Sequence, residues 1–167
     1  MKTHRRRWLK GTGAAVLAFP HVRMDAASPN GKLNVGIIGA GGRGGANTRG
    51  VGSEQVVAVC DTNGQTLEKA KAQFRKNGAT AHRDWRDLLE IEKLDAVVIS
   101  TADHHHAPAS LAAMRKGLHV YCEKPLAHNV REARLMREVY ARARKKSKIA
   151  TQMGTQIHAG ENFRRVV

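Results

Sequence analysis

The segment LNVGIIGAGGRG, residues 33–44, decides the fold of this chain. Its first six residues are mostly apolar and rich in β-formers, which predicts a buried strand. Gly39, Gly41 and Gly44 then follow in the spacing G-x-G-x-x-G. In such a turn the first glycine permits a tight bend, the second admits a pyrophosphate, and the third lets helix and strand pack closely. The segment therefore predicts a dinucleotide-binding βα unit, with a ligand-free glycine turn as the alternative.

The same turn offers further contacts for phosphate groups. A helix is predicted to begin near Arg43, and its N-terminus would present free N–H groups and a partial positive charge to a pyrophosphate. The predicted cofactor site therefore also includes Gly42, as part of the turn, and the guanidinium of Arg43.

Asp61 follows a second apolar run, Gln55–Cys60, and lies 22 residues after Gly39. A carboxylate in this position accepts hydrogen bonds from the ribose hydroxyls and repels a 2′-phosphate. The sequence thus favours NAD as cofactor over NADP. The alternative is that Asp61 only caps the helix predicted to start near Gly64.

Strands and helices alternate along the body of the chain. Further strands are predicted at 55–60, 79–82, 95–100, 119–122 and 149–153, with helices from 43 and at 64–77, 84–90, 106–116 and 130–144. Alternation at these lengths implies right-handed βαβ units. The predicted fold class is α/β, a doubly wound parallel sheet.

The loop TADHHH, residues 101–106, follows the fourth predicted strand and so lies at the ligand-binding edge of the sheet. Its three histidines suggest a metal site, but consecutive turn residues point in different directions and no second ligand cluster accompanies them. No metal site is predicted. Asp103 is instead expected to cap the next helix.

Lys124 follows the fifth predicted strand and precedes Pro125, which fixes the backbone just past it. An ammonium group there would polarise a substrate hydroxyl or carbonyl, or assist proton transfer. The alternative is an ordinary solvated surface lysine.

The net charge of +15 is concentrated in two segments of the 167-residue chain. The first ten residues hold five basic and no acidic side chains, and Arg131–Lys148 has a net charge of +6, so together they supply +11. Aromatic residues are only 4% of the chain, which leaves few platforms for base stacking. Nucleic-acid binding is therefore not predicted. The basic helix is expected to be a solvated face, or else a patch covered by a further domain or subunit.

The first 28 residues have the pattern of an export signal. A basic run with paired arginines precedes a short apolar stretch, residues 11–19, and then small residues. The pattern resembles a twin-arginine signal, with His4 and Trp8 as departures. The apolar stretch is too short to span a bilayer, so no stable membrane insertion is expected. These features predict export to the periplasm; a disordered basic tail on a cytoplasmic protein is the alternative.

Taken together, the motif GAGGRG, Asp61, the loop TADHHHA and above all EKP at 123–125, followed by Leu126-Ala127, resemble the Gfo/Idh/MocA oxidoreductase family. The resemblance covers about 33–154. It implies an N-terminal Rossmann domain that binds NAD or NADP and an activity on sugars, cyclitols and related polyols. By this resemblance Lys124 contacts both nicotinamide and substrate, and Glu123 helps to hold the nicotinamide end. It also implies that three further residues line the cofactor: Thr101, Ala102 and His104.

The resemblance also implies a C-terminal α/β substrate domain, most of which is expected to lie beyond residue 167. The expected division is an export signal at 1–28, the dinucleotide-binding domain at 32–154 and the start of the second domain at 155–167. Gln156 and His158, where many members carry Asn and Arg, are expected to approach the substrate, His158 as a candidate catalytic residue. The full-length protein is expected to be a homo-oligomer. The expected function is hydride transfer to or from a sugar or polyol. The alternatives are an NAD-dependent glycosidase acting by transient oxidation and a non-catalytic dinucleotide-binding module.

Overall fold

The computed structural model describes residues 31–91 and 93–155. Six parallel strands form one sheet in the order β3-β2-β1-β4-β5-β6. The strands are β1 Asn34–Ile38, β2 Gln55–Cys60, β3 Thr80–His82, β4 Ala96–Ile99, β5 His119–Glu123 and β6 Thr151–Gly154. The helices are α1 Arg43–Gly50, α2 Gly64–Gln73, α3 Trp85–Leu88, α4 Asp103–Arg115 and α5 Val130–Ser147. The doubly wound parallel α/β sheet is confirmed.

Two hydrophobic clusters cover the two faces of the sheet. In β1, Ile37 packs in the cluster that contains Leu67 and Ala70 of α2, whereas Ile38 packs in the cluster that contains Met114 of α4. Successive strand residues point to opposite faces, so a strand covered on both sides needs an unbroken apolar run. This requirement explains the run that precedes Gly39.

The strand order reverses between β1 and β4, and this reversal creates the crevice in which doubly wound sheets bind ligands. The carboxyl ends of the strands around it are held in register. The N–H of Gly39 donates to the carbonyl of Cys60 at 2.8 Å, and the N–H of Ser100 donates to the carbonyl of Ile38 at 2.8 Å. The loops after β1, β2 and β4 therefore meet at one edge.

The start of α4 differs from the prediction. The helix begins at Asp103, three residues before the predicted start, and Ala102 rather than Asp103 occupies the cap position. The predicted capping role of Asp103 is therefore wrong. As the first helical residue, Asp103 places its carboxylate near the N-terminus, where negative charge is favourable.

Two other helices are shorter than predicted. The predicted helix 64–77 ends at Gln73 and continues as a 3₁₀ turn, Arg75–Asn77, before Gly78 in the left-handed region at φ 71°. The helix predicted at 84–90 is a single turn of four residues, capped by the side chain of Asp84. Neither difference moves a residue of the predicted site.

Three predictions concern residues outside the described part of the chain. They are the export signal at 1–28 and the substrate contacts of Gln156 and His158. Within residues 31–91 and 93–155, no helix is both long and apolar enough to cross a membrane.

Candidate dinucleotide-binding site

A cleft of about 460 Å³ opens at the carboxyl ends of β1, β2 and β4. It lies at the reversal of strand order, where a dinucleotide is expected. Six of the residues predicted to bind the cofactor line it: Gly39, Gly41, Asp61, Thr101, Ala102 and His104. The structure thus brings together the glycine turn, the acidic residue and the TADHHH loop.

The glycine turn leaves no room for side chains at its first and third glycines. A Cβ on Gly39, whose φ is 86°, would lie 2.6 Å from the carbonyl oxygen of Ser100. A Cβ on Gly44 would collide with the carbonyl oxygen of Gly39. Gly42 has a φ of 52° and occupies the cap position of α1 without a side-chain cap. Gly45 donates its N–H to the carbonyl of Gly42 at 3.2 Å. The N–H groups of the first two helical residues have no partner within the helix and remain available to a phosphate.

The carboxylate of Asp61 is oriented by backbone N–H groups. Its Oδ2 accepts hydrogen bonds from the N–H of Ala40 at 3.0 Å and of Gly41 at 3.2 Å, and Oδ1 accepts from Asn63 at 2.9 Å. A carboxylate has about four acceptor positions, so roughly one remains for a ribose hydroxyl. Asp61 therefore links the end of β2 to the glycine turn and fits the chemistry of a ribose contact.

Asp61 does not cap α2. The cap is Asn63, whose side-chain oxygen accepts from the N–H groups of Gln65 at 3.0 Å and Thr66 at 3.1 Å. The capping alternative for Asp61 is thus wrong. The reason is geometric. Helix α2 begins at Gly64, so Asn63 directly precedes it and can cap it, whereas Asp61 lies two residues further from the helix.

Glu123 is buried, with 4% of its surface exposed, and joins β5 to α1. Its Oε1 accepts hydrogen bonds from Asn47 Nδ2 at 2.8 Å and from Arg43 Nε at 3.2 Å. Asn47 Nδ2 also donates to Ser100 Oγ at 2.8 Å. Arg43, predicted to contact phosphate, is thus ion-paired with Glu123 at its Nε. We call Arg43, Asn47, Ser100 and Glu123 the Glu123 network.

The Glu123 network keeps its carboxylate ionised. Burial disfavours the charged form, but the hydrogen bonds from Asn47 and Arg43 and the charge of Arg43 outweigh it. The pKa of Glu123 is consequently lowered. An ionised carboxylate with three protein donors, Tyr121 OH being the third at 3.4 Å, is a fixed anchor for the loop that follows β5.

Lys124 lies directly after this anchor and is exposed. Its N–H donates to the carbonyl of Gly154 at 3.3 Å, and the peptide bond to Pro125 is cis. The lysine stands at the end of β5, one strand beyond the β4 loop that lines the cleft. It is therefore free to meet a molecule bound across the sheet edge.

His106 was not predicted to belong to the site, yet it connects two of its loops. The side chain is 1% exposed; Nδ1 lies 2.6 Å from the carbonyl oxygen of Pro125, and Nε2 lies 3.1 Å from that of Thr101. A sequence signal existed, because His106, Ser110 and Ala113 share the helical spacing of the buried face of α4.

The three neighbouring histidines separate in the structure. His104 is exposed and lines the cleft, His105 is half-buried, and His106 points into the core. Among the described residues, no group of three or more His, Cys, Asp and Glu side chains is arranged to hold a metal ion.

The two cysteines are free and buried. Burial, reinforced by the negative charge of Asp61, raises the pKa of Cys60 to about 12. Burial likewise raises the pKa of Cys122 to about 11. Neither thiol supplies a thiolate near neutral pH, so neither is a nucleophile for this site.

Residues 33–154 match the family model described as "Oxidoreductase family, NAD-binding Rossmann fold". A glycosyl hydrolase family 109 protein of Solibacter usitatus is 32% identical over 78% of this chain and 35% of its own length. An inositol 2-dehydrogenase of Rubrobacter xylanophilus is 34% identical over 62% of this chain and 30% of its own length.

Solved structures show the same similarity. A myo-inositol 2-dehydrogenase of Lactobacillus plantarum superposes with a TM-score of 0.72 at 26% identity, covering 81% of this chain and 40% of that protein. The match to the two curated relatives cited above spans about a third of the length of each relative.

Proposed function

We propose that this chain, which belongs to the NAD-binding Gfo/Idh/MocA oxidoreductase family, forms the cofactor-binding half of an enzyme that transfers a hydride between NAD and a sugar or polyol. The observation that carries the proposal is the cleft in which the glycine turn, Asp61 and Thr101 converge, with Lys124 at the neighbouring strand end. The inositol 2-dehydrogenases among its relatives support a polyol as substrate.

Different residues of the cleft would bind different parts of NAD. The N-terminus of α1, with Gly42 and the outer nitrogens of Arg43, would hold the pyrophosphate. Asp61 would accept a hydrogen bond from the adenosine ribose and repel the 2′-phosphate of NADP. The loop with Thr101, Ala102 and His104 would lie along the cofactor toward the nicotinamide.

Lys124 would act on the substrate oxygen. When bound, NAD supplies the hydride acceptor at nicotinamide C4. The ammonium of Lys124 would donate a hydrogen bond to the reacting oxygen and so stabilise the negative charge that develops on it. The hydroxyl proton would pass to a base on the substrate side, for which His158 is the candidate. Glu123 would support the nicotinamide end by fixing the backbone before Lys124 rather than by a free carboxylate, since Arg43 and Asn47 occupy it.

Lys124→Ala tests this role. In the protein that carries this chain with its substrate-binding residues, turnover should fall by about 10²–10³-fold, because a hydrogen-bond donor to the reacting oxygen is lost. The dissociation constant of NADH, measured by fluorescence, should change little. Lys145→Ala, on the exposed end of α5, is the matched control and should leave both unchanged. Full turnover without the Lys124 amine would remove the lysine from the mechanism.

A second activity is favoured by a specific observation. The similarity to a glycosyl hydrolase family 109 protein supports an NAD-dependent glycosidase as the second candidate. In such an enzyme transient oxidation precedes bond cleavage, and the hydride then returns to the product. Such an enzyme would cleave a glycoside with no net change in absorbance near 340 nm, whereas a dehydrogenase would accumulate NADH. A protein that binds NAD and does neither would be a non-catalytic module.

We also propose the surrounding organisation. Residues 1–28 would direct export by the twin-arginine route, 32–154 would form the dinucleotide domain, and 155–167 would begin a substrate domain to which His158 and Gln156 contribute. The whole protein would be a homo-oligomer without nucleic acid as a partner. A fusion of residues 1–28 to a reporter, assayed for twin-arginine-dependent export, tests the first of these proposals.

A further inference from the structure

His106 joins the two loops that the proposed mechanism uses. One of its partners, the carbonyl of Thr101, belongs to the loop that lines the cleft. The other, the carbonyl of Pro125, belongs to the residue directly after Lys124. The ring itself is 1% exposed and so cannot contact the substrate or the cofactor from inside the core.

The chemistry of the two partners assigns the proton. Both are carbonyl oxygens and can only accept hydrogen bonds, so a ring nitrogen bonds to its partner only if it carries an N–H. The contact of Nδ1 with Pro125 is the shorter, 2.6 Å against 3.1 Å for Nε2 with Thr101. We therefore place an N–H on Nδ1, where it donates to the carbonyl of Pro125.

After the anchor at Glu123, few other contacts within residues 31–91 and 93–155 restrain this loop. Lys124 and Pro125 are exposed, and the N–H of Lys124 makes a long bond of 3.3 Å to Gly154 in the edge strand β6. Pro125 has no N–H of its own to donate. The carbonyl of Pro125 is thus the point at which the buried helix α4 can hold the backbone beside Lys124.

We propose that His106 is a positioning residue for Lys124, holding the Lys124–Pro125 backbone against helix α4 through its Nδ1–H. This inference rests on the proposed function of Lys124. A displacement of about 1 Å at a reacting group can lower a rate by about 10²-fold, so a single backbone contact of this kind matters for turnover.

Two substitutions separate the two contacts of the ring. In His106→Asn the amide nitrogen lies at the position of Nδ1, and it can still donate to Pro125. In His106→Gln the amide nitrogen lies one bond further out, at the position of Nε2, and it can reach Thr101 instead. In both variants an amide that can donate a hydrogen bond replaces the imidazole ring. The destabilisation caused by loss of the ring is therefore common to both.

The first measurement needs no activity. Hydrogen exchange of the Lys124 amide in this chain should be roughly tenfold faster in His106→Gln than in His106→Asn, since a local opening that costs about 1.4 kcal/mol less is tenfold more frequent. The amide of Val98 in the central strand β4 is the internal control and should exchange equally in both. Equal exchange of the Lys124 amide in the two variants would overturn the proposal.

The second measurement is kinetic, in the protein that carries the substrate-binding residues. His106→Gln should lower kcat by about 10- to 100-fold with KM and the NADH dissociation constant nearly unchanged, and His106→Asn should restore most of the loss. In the Lys124→Ala background His106→Gln should cost nothing further, because the group that it positions is already absent. An additive loss in that background would show a general structural role and overturn the proposal. A wild-type protein without turnover, but with the expected exchange pattern, would contradict the proposed function and leave His106 as the residue that fixes the backbone at Lys124.

Discussion

Helix α1 lies against the end of β1 because residue 44 has no side chain. A Cβ there would collide with the carbonyl oxygen of Gly39, which is backbone and cannot rotate away. Gly45, the next residue of the helix, is different, since its Cβ would lie at an ordinary 3.4 Å from the carbonyl oxygen of Ala40. A comparison of alanine at position 44 with alanine at position 45 therefore separates the steric requirement for glycine from the general cost of glycine in a helix.

We predict opposite outcomes for alanine at these two positions. Gly44→Ala should push α1 off the sheet, destabilise the fold by about 1–3 kcal/mol as overpacking does, and weaken NADH binding. Gly45→Ala should raise the free energy of unfolding by up to about 1 kcal/mol, because alanine is the better helix former. Urea denaturation and NADH fluorescence measure both. Normal NADH affinity in Gly44→Ala would place the pyrophosphate away from this turn.

Asp61 provides a second test at the scale of one residue. Asp61→Ala removes a charged acceptor and the bonds that hold the glycine turn, so the dissociation constant of NAD should rise by about 10- to 100-fold, as expected for a loss of roughly 1.5–3 kcal/mol. Asp61→Asn should also reduce the preference for NAD over NADP, because the repulsion of a 2′-phosphate is lost.

The control for Asp61 is Asn63→Ala. This substitution removes the cap of α2, which should cost about 1 kcal/mol of stability and leave NAD affinity unchanged. An Asp61→Ala protein that behaves like Asn63→Ala would mean that Asp61 has only a structural role.

At the scale of elements, the Glu123 network ties three parts of the site together. Glu123 ends β5, Asn47 and Arg43 belong to α1, and Ser100 follows β4. The helix that would hold the phosphates is therefore fixed to the strand that carries Lys124. A change in this network should alter the stability of the domain and the alignment of cofactor and lysine together.

The lowered pKa of Glu123 predicts how this network responds to acid. A carboxyl group whose pKa is lower in the folded than in the unfolded protein stabilises the fold above its unfolded value, here 4.5, and loses that contribution as the pH falls through the folded pKa. Glu123→Gln should therefore destabilise the chain by about 1.5–3 kcal/mol at pH 7. The difference between the two proteins should shrink below pH 4.5. Urea denaturation at both pH values measures it; a difference independent of pH would show that the ionised form contributes nothing.

The elements themselves were predictable from local pattern. The central strands β1, β2 and β4 are mostly apolar runs covered on both faces, whereas the edge strands β3 and β6 are short and more polar. The start of α4 was not predictable in this way, since the polar residues Asp103–His105 have no apolar periodicity even though they are helical. Choosing Asn63 rather than Asp61 as the cap of α2 required the start of the helix to be located within two residues. Sequence patterns do not locate helix ends that closely.

The site was predictable only where it depends on one turn. The glycine spacing and the strand-end Asp61 report local backbone geometry, and the cleft contains both. The partners of Glu123 lie 76 and 80 residues away, and His106 meets Pro125 across 19 residues and two loops. Such contacts depend on which strands are neighbours in the sheet, and the local patterns of a single sequence do not reveal which residues this brings together.

At the scale of the molecule, the cleft joins the two halves of the sheet. Gly39 and Asp61 follow β1 and β2, whereas Thr101 follows β4, on the other side of the reversal. A dinucleotide in the cleft would contact both halves at once. A ligand that binds only the folded chain must raise its stability by mass action, whatever its chemistry.

We therefore predict that NAD raises the thermal midpoint of this chain. At a concentration of about 100 times its dissociation constant, NAD should add about 2.7 kcal/mol, which corresponds to roughly 5–11 °C for a domain of this size. NADP at the same concentration should add less, because Asp61 repels its 2′-phosphate. Differential scanning fluorimetry measures both, with Gly44→Ala as the control that should lose the shift. An equal shift in that variant would mean that the nucleotide binds elsewhere than across β1, β2 and β4. A shift with NADP as large as with NAD would mean that Asp61 does not select against the 2′-phosphate.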